Sequence, residues 1–159
     1  DRTLHESIVP ARVNHYVEEE IERIARTMAE KLELIGVLGI EMFITSSGTL
    51  YVNELIPRPH HSGNYSMEAC SLSQYDAHIR AICGWPLPEM ELLSPAVMTT
   101  ILTEHEEAAK VQIQLKPNWN FYYYGKDNAK KGQKIGHITV LTKDVEKTLA
   151  TIADTGIWK

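Results

Sequence analysis

Two apolar runs, Val37 to Thr45 and Thr49 to Ile56, are separated only by Ser46-Ser47-Gly48, and they constrain this chain more than any other stretch. Both are rich in β-branched residues and a small polar loop joins them, so they are predicted to pair as an antiparallel ribbon. If Ser47-Gly48 forms a two-residue loop, paired residues carry numbers that sum to 95. That register sets Glu41 directly opposite Glu54 on one face, whereas a three-residue loop sets Glu41 opposite Asn53. Opposed side chains stand with Cβ atoms roughly 4.5–5.5 Å apart, where like charges repel. The strands are otherwise apolar, so the acids are expected in a partly buried setting that screens the repulsion poorly. A divalent cation between them removes the conflict. Oxygen-only ligation by two carboxylates suits Mg²⁺, which keeps waters and takes its remaining ligands from substrate phosphates. The simpler alternative is a pair of acids on a solvated hairpin face.

The segment after the second run is Pro57-Arg58-Pro59-His60-His61-Ser62-Gly63. It leaves the sheet through prolines that cannot continue a central strand. Arg58 offers bidentate capture of a carboxylate, bicarbonate or phosphate. Acids that hold a metal, followed at once by an anion-binding loop, look like a site for phosphoryl chemistry on an oxyanion. A strand ending in Asn53-Glu54, a PRPH-x-SG loop and another acid on the preceding strand resemble the ATP-grasp carboxylate–amine ligases. Within that class the chain is most similar to the carboxyaminoimidazole ribonucleotide synthetases of purine biosynthesis. The likeness runs from VPAR at residues 9–12 to the last helix, and includes SQY-x-x-H-x-RA at 73–81 and GHITV at 136–140.

With 159 residues, 43% of them hydrophobic, the chain can bury a core as one domain or two small ones. A net charge of −5 argues against a general nucleic-acid binder. No run of about 18 apolar residues and no basic-plus-apolar leader is present, so no membrane span is expected. Cys70 and Cys83 lack metal-ligand spacing and read as reduced, buried thiols of a cytoplasmic protein. The opening Asp1-Arg2-Thr3-Leu4-His5 carries no initiator Met or entry signal, and reads as the start of a fragment whose N-terminal part lies upstream.

Leu4 to Arg12 is predicted to be extended, with Pro10 confining it to an edge or a strand end. Asn14 is the expected N-cap of a helix over about 15–34. Its apolar stripe is Val17, Ile21, Ile24, Ala25, Met28, Ala29 and Leu32. Glu18-Glu19-Glu20 lies in the first turn as a solvated face that favours the helix dipole, and Gly36 is expected to end the helix. Tyr65 to Leu72 reads as a short helix or turn. Ser71 or Ser73 then caps a helix to about Cys83, in which His78 is expected to be a packed, hydrogen-bonded residue. Gly84-Trp85-Pro86-Leu87-Pro88 is the strongest boundary signal, dividing the chain into 1–84 and 89–159. Beyond it the texture turns to β: strands at Ala96 to Thr103, Asn120 to Tyr124 and Lys134 to Thr142, with a short helix from Glu104 to Val111. Asp144 or Thr142 caps a last helix, Val145 to Ala153, with Val145, Leu149 and Ile152 inward.

The fold class is therefore α+β. The resemblance implies the C-terminal part of an ATP-grasp domain, an antiparallel sheet with packed helices, followed by a small β-rich domain that closes the substrate site. It implies ATP and Mg²⁺, with the substrates 5-aminoimidazole ribonucleotide and bicarbonate, and N-carboxylation through carboxyphosphate. Glu41 and Glu54 would hold metal, and Asn53 and Glu54 the nucleotide end. Arg58 and His60 would act on bicarbonate and substrate. In YYYGKDNAKKGQKIGHITV, Lys126 and Lys134 would bind the ribonucleotide phosphate, while Lys130 and Lys131 are expected to be solvated and without backbone support. Two basic positions of the family pattern are Lys130 and Gln133 here, and the family's Asn after PRPH is His61. The Gly-rich phosphate loop and the N-terminal nucleotide-fold domain would lie upstream, so this chain alone is not expected to turn over. A homodimer is also implied. Two other readings are a formate-dependent glycinamide ribonucleotide transformylase, against which GHITV counts, and a non-catalytic module of the same fold, against which the retained acids and Arg58 count.

Overall fold

Asn14 opens the first helix as expected, its side-chain oxygen accepting from the Val17 N–H at 3.1 Å. The computed structural model describes residues 5–158, so Leu4 lies outside the described residues. The chain divides into two units. One comprises residues 11–67 and 71–91, the other the described residues up to Pro10, Glu68–Cys70 and those from Leu92 on.

In the first, the hairpin unit, α1 spans His15–Lys31, β2 Gly39–Ile44, β3 Leu50–Ile56 and α3 Gln74–Ile82. A short helix, α2 (Ser66–Ala69), is divided between the units at Met67 and Glu68. Helix α1 ends at Lys31, short of the expected Leu34, and Gly36 is not its cap. Instead Glu33 takes a left-handed φ of 48°. Its N–H bonds the Glu30 carbonyl at 3.1 Å, and the Leu34 N–H bonds the Ala29 carbonyl at 3.0 Å. This is the closing pattern usually given to glycine. On the apolar stripe Val17 is buried, Ile21 to Ala29 are half-buried, and Leu32 is exposed. In the acidic run Glu20 pairs with Arg23 at 2.6 Å on the surface.

Ser73 caps α3, its hydroxyl accepting from the Asp76 N–H. His78 is structural, as read: its Nδ1 accepts from the Val37 N–H at 3.2 Å. The ring lies so close to Gly36, at φ 127°, that a Cβ there would sit 2.7 Å from Nδ1. This explains the glycine better than helix termination does.

The second unit is a four-stranded antiparallel sheet in the order β1-β4-β6-β5, made of Glu6–Val9, Ala96–Leu102, Lys134–Leu141 and Asn120–Tyr123. β1 is an edge strand, which is the place Pro10 permits. The inner strands are buried almost throughout, so both of their faces are covered. On one face Val97, Ile101, Ile135, Ile138 and Val140 pack with Ala109 of α4 (Glu106–Leu115) and Ile152 of α5 (Val145–Asp154). Val145 and Leu149 join them as expected. Helix α4 starts and ends later than predicted, after a 3-10 turn at Thr103–His105. Asp144 caps α5 through the Lys147 N–H.

Cys70 is half-buried, and burial raises its thiol pKa. Cys83 is exposed, contrary to the expected burial, because it sits at the C-cap of α3. Among the described residues no helix is long and apolar enough to cross a membrane.

Candidate active site

The hairpin places Glu41 opposite Glu54, but not by the loop that suggested it. Near the tip Ile44 faces Leu50, Phe43 faces Tyr51 and Met42 faces Val52, and Thr45 and Thr49 close a three-residue loop through a 3.0 Å backbone bond. Continued unchanged, that register would set Glu41 against Asn53. A bulge after Val52 takes up Asn53 as an extra residue and restores the pairing of Glu41 with Glu54, Ile40 with Leu55 and Gly39 with Ile56. Two residues then oppose one and the strand is locally re-aimed. The Asn53 amide consequently reaches Glu41 and donates to its Oε2 at 3.2 Å.

The expected partial burial holds only for Glu41, whose side chain is 42% exposed; Glu54 is exposed. The apolar strand residues do not enclose the pair, since Phe43, Tyr51 and Leu55 are themselves exposed. The donor set is two opposed carboxylates with an amide beside them. It is hard, oxygen-only and incomplete, which fits Mg²⁺ completed by water and phosphate oxygens. Among the described residues no group of three or more His, Cys, Asp or Glu is arranged to hold a metal unaided.

The loop after β3 brings His60 to this pair. Its ring is buried, Nε2 stands 3.7 Å from Glu41 Oε1, and Nδ1 shares a 2.8 Å hydrogen bond with the Ser62 hydroxyl. His61 lies against it with ring centres 3.9 Å apart. Arg58 is exposed, and its guanidinium donates to the Pro59 carbonyl at 3.1 Å. That leaves it free to turn towards an arriving anion. With a cation held by the two acids, this surface would neutralise charge on one side and offer a guanidinium and an imidazole on the other.

Lys126 and Lys134 belong to the sheet unit, on the two arms of the turn joining β5 to β6. Tyr123 pairs with Gly136, and the Tyr124 N–H bonds the Ile135 carbonyl at 2.8 Å. Lys126 borders a cavity of about 630 Å³ that Thr103, Lys110, Tyr123 and Asn128 also line. The turn's middle is supported, contrary to expectation. Thr103 bonds the Lys130 carbonyl at 3.1 Å, and Glu104 Oε2 accepts from the Gly132 N–H at 2.9 Å. Backbone and hydroxyl donors hold the Glu104 carboxyl below its usual pKa. Gln133, which lacks the charge of the family pattern, accepts from the Lys130 N–H at 2.9 Å through its side chain and so closes the turn.

Sequence reasoning missed two polar groups. Gln74 grips the His60 segment from α3, and the only sign of it was its place in the SQY stretch. On the sheet, Tyr122 donates to Glu68 and stacks on His137 at 4.8 Å, while Tyr124 bonds His137 Nδ1 at 2.8 Å. The Glu68 bond and burial push the Tyr122 pKa up to about 12, and burial drives the His137 imidazole down to about 4.

Comparison with known proteins matches residues 1–75 to the ATP-grasp domain and residues 96–151 to the phosphoribosylaminoimidazole carboxylase C-terminal domain. The chain is 40% identical over 151 residues to N5-carboxyaminoimidazole ribonucleotide synthase of Bacillus subtilis (strain 168), covering 95% of this chain and 40% of that protein. A crystal structure of an ADP complex of N5-carboxyaminoimidazole ribonucleotide synthetase superposes with a TM-score of 0.95 at 44% identity, over 99% of this chain and 42% of that one. The Aspergillus clavatus synthase in complex with ADP and 5-aminoimidazole ribonucleotide gives 0.88 at 32% identity, over 98% and 43%. The chain thus spans about two fifths of the length of the curated relatives it matches.

Proposed function

We propose that this chain, an ATP-grasp domain segment joined to a phosphoribosylaminoimidazole carboxylase C-terminal domain, is part of a ligase that carboxylates 5-aminoimidazole ribonucleotide. The reaction uses ATP and bicarbonate and proceeds in the cytoplasm, in a homodimer. The observation that carries this reading is the bulged pairing of Glu41 with Glu54, followed directly by the loop that sets His60 beside Glu41.

In this reading Glu41 and Glu54 would hold Mg²⁺, which when bound would supply neutralisation of phosphate charge for phosphoryl transfer. Asn53 fixes the Glu41 carboxylate through its amide and lies at the nucleotide end. Arg58, exposed on the loop, takes bicarbonate, or the carboxyphosphate made from it, in a bidentate grip. His60 is held by Ser62 on one ring nitrogen and turned to Glu41 on the other, and orients the acceptor amine. Lys126 and Lys134 bind the ribonucleotide phosphate, so that binding energy remote from the reacting atoms orients the amine.

The test is phosphate release by the full-length protein. Release that requires bicarbonate and is stimulated by 5-aminoimidazole ribonucleotide is expected. Release supported by formate and glycinamide ribonucleotide instead would replace this reading with the transformylase.

A further inference from the structure

We propose that Gln74 is a positioning residue of the carboxylate site: its side-chain amide stands in for a missing neighbouring strand at His60, and thereby sets where the His60 imidazole and the Glu41 carboxylate lie. The proposal rests on the reading of Glu41 and Glu54 as the metal-holding acids.

The loop leaving β3 has little backbone support of its own. Pro57 and Pro59 have no N–H to give, and the Arg58 N–H turns back to the Ile56 carbonyl at 2.8 Å. At His60 the carbonyl accepts from the Gly63 N–H at 2.9 Å, and the rest of the support comes from a side chain 14 residues on. The His60 N–H donates to Gln74 Oε1 at 3.0 Å, and Gln74 Nε2 donates to the His60 carbonyl at 2.8 Å. These are the two bonds that a residue of an adjacent antiparallel strand would make. The second Nε2 hydrogen goes to Asn64 Oδ1 at 2.9 Å, an oxygen that also accepts from the Tyr75 hydroxyl at 2.6 Å.

Both hydrogens and the oxygen of the amide are thus engaged. The Gln74 backbone N–H adds a bond to the Ser66 hydroxyl at 2.9 Å, and that hydroxyl donates to the Gly63 carbonyl at 2.6 Å. His60 and Asn64 are 8% and 3% exposed, so the clamp is shielded from water that could replace it.

The chemistry selects glutamine at this position. Glutamate would set an oxygen against the His60 carbonyl and the Asn64 oxygen, where donors are needed. Asparagine is one methylene too short. Gly63 shows how closely the clamp fits, because a Cβ there would lie 2.8 Å from Gln74 Oε1. With the His60 backbone held, its ring is fixed between Ser62 and Glu41, and the other Glu41 oxygen is fixed by Asn53. Partners placed this way orient metal ligands, and their loss typically weakens metal affinity about 10–100-fold.

The experiment uses full-length protein with Gln74→Glu, Gly63→Ala and the double variant. It measures Mn²⁺ binding in the absence of nucleotide, amide exchange over residues 58–64, melting temperature and, where there is turnover, kcat and each KM. Each single variant is expected to bind Mn²⁺ about tenfold more weakly and to exchange the His60 amide faster. The double variant should be no worse than the weaker single, because both act through one clamp.

Unchanged Mn²⁺ affinity in folded variants, with or without a lower melting temperature, overturns the proposal and leaves Gln74 a structural residue. Losses that multiply in the double variant overturn it too, as does a wild-type protein that does not bind Mn²⁺. A wild-type protein that binds Mn²⁺ but fails to use bicarbonate defeats only the proposed reaction, and the Mn²⁺ comparison still decides the clamp. Should Gln74→Glu not fold, Gly63→Ala carries the same decision.

Discussion

The hairpin unit and the sheet unit hold their polar groups in opposite ways. In the sheet unit two inner strands are buried on both faces, and His137, Thr99 and Thr139 lie among Met98, Ile101 and Ile138 with almost no exposure. There packing comes first, and exclusion of water sets the chemistry, as the depressed His137 imidazole shows. In the hairpin unit Val17 and Ile56 are the buried apolar residues among those described, while Phe43, Tyr51 and Leu55 face outward. Position there comes from hydrogen bonds: Asn53 to Glu41, Gln74 to His60, Val37 to His78. A site built by directed bonds on an exposed ribbon can admit large charged ligands, whereas a packed sheet provides stability and a fixed base for its turn.

The largest expected effect is on the exposed ribbon. Glu54→Gln in the full-length protein should lower phosphoryl transfer at least about a hundredfold with an unchanged melting temperature, because Glu54 packs against no core. Near-normal ATP turnover at ordinary Mg²⁺ would dissolve the two-carboxylate site.

On the packed sheet the effect should fall on stability instead. In Gly136→Ala the new Cβ would collide with the Tyr122 carbonyl of the neighbouring strand. A loss of about 3 kcal/mol is expected, as for an overpacked core. Gly48→Ala, at φ 85° with nothing within 4 Å of the added carbon, should cost only the left-handed penalty of about 1–2 kcal/mol. Equal losses in denaturant titration would erase the contrast.

At the lysine turn, loss of one charged phosphate contact costs about 1.5–3 kcal/mol, roughly ten- to a hundredfold in binding. Titration of 5-aminoimidazole ribonucleotide into Lys126→Ala and Lys134→Ala should show that loss with ATP affinity kept. Lys131→Ala should move little. The structure sharpens this test, because Thr103, Glu104 and Gln133 support the mid-turn backbone. A damaging Lys131→Ala would shift the phosphate site to the middle of the turn.

The smallest effect is a pH dependence confined to the sheet unit. His137 is held down at about 4, so between pH 6.5 and 4 the unfolded chain binds more protons than the folded one. Its contribution is complete above pH 6.5 and fades as pH falls towards 4. Tyr122 is raised to about 12, and its contribution is complete below pH 10 and fades between 10 and 12. Denaturant midpoints against pH, with His137→Asn as the control, check the acid limb. An unchanged slope in that variant would assign the limb to other groups.

Local signals were enough for much of this molecule. Asn14, Ser73 and Asp144 were legible as caps because capping is decided within three residues. The strands at 96–102 and 134–141 were legible from β-branched composition. The length of α1 was misread because Glu33 does the work expected of Gly36, and a left-handed glutamate leaves no compositional trace. Beyond the local Gln133 bond, the support of the turn at Lys130 and Gly132 was invisible because it comes from Thr103 and Glu104, nearly 30 residues away.

By itself the sequence determined which residues can do chemistry: two acids on facing strands, a Pro-interrupted loop with Arg58 and His60, and lysines around a glycine turn. Residue type and spacing are local properties, and they carry that much. Only the tertiary structure decided that a three-residue loop and a bulge at Asn53 together bring Glu41 to Glu54, and that Gln74 takes the place of a strand beside His60. Register is a sum over the whole ribbon, in which one extra residue moves every pair. A side chain reaching across 14 positions obeys no periodicity, since its partner is chosen by proximity in space.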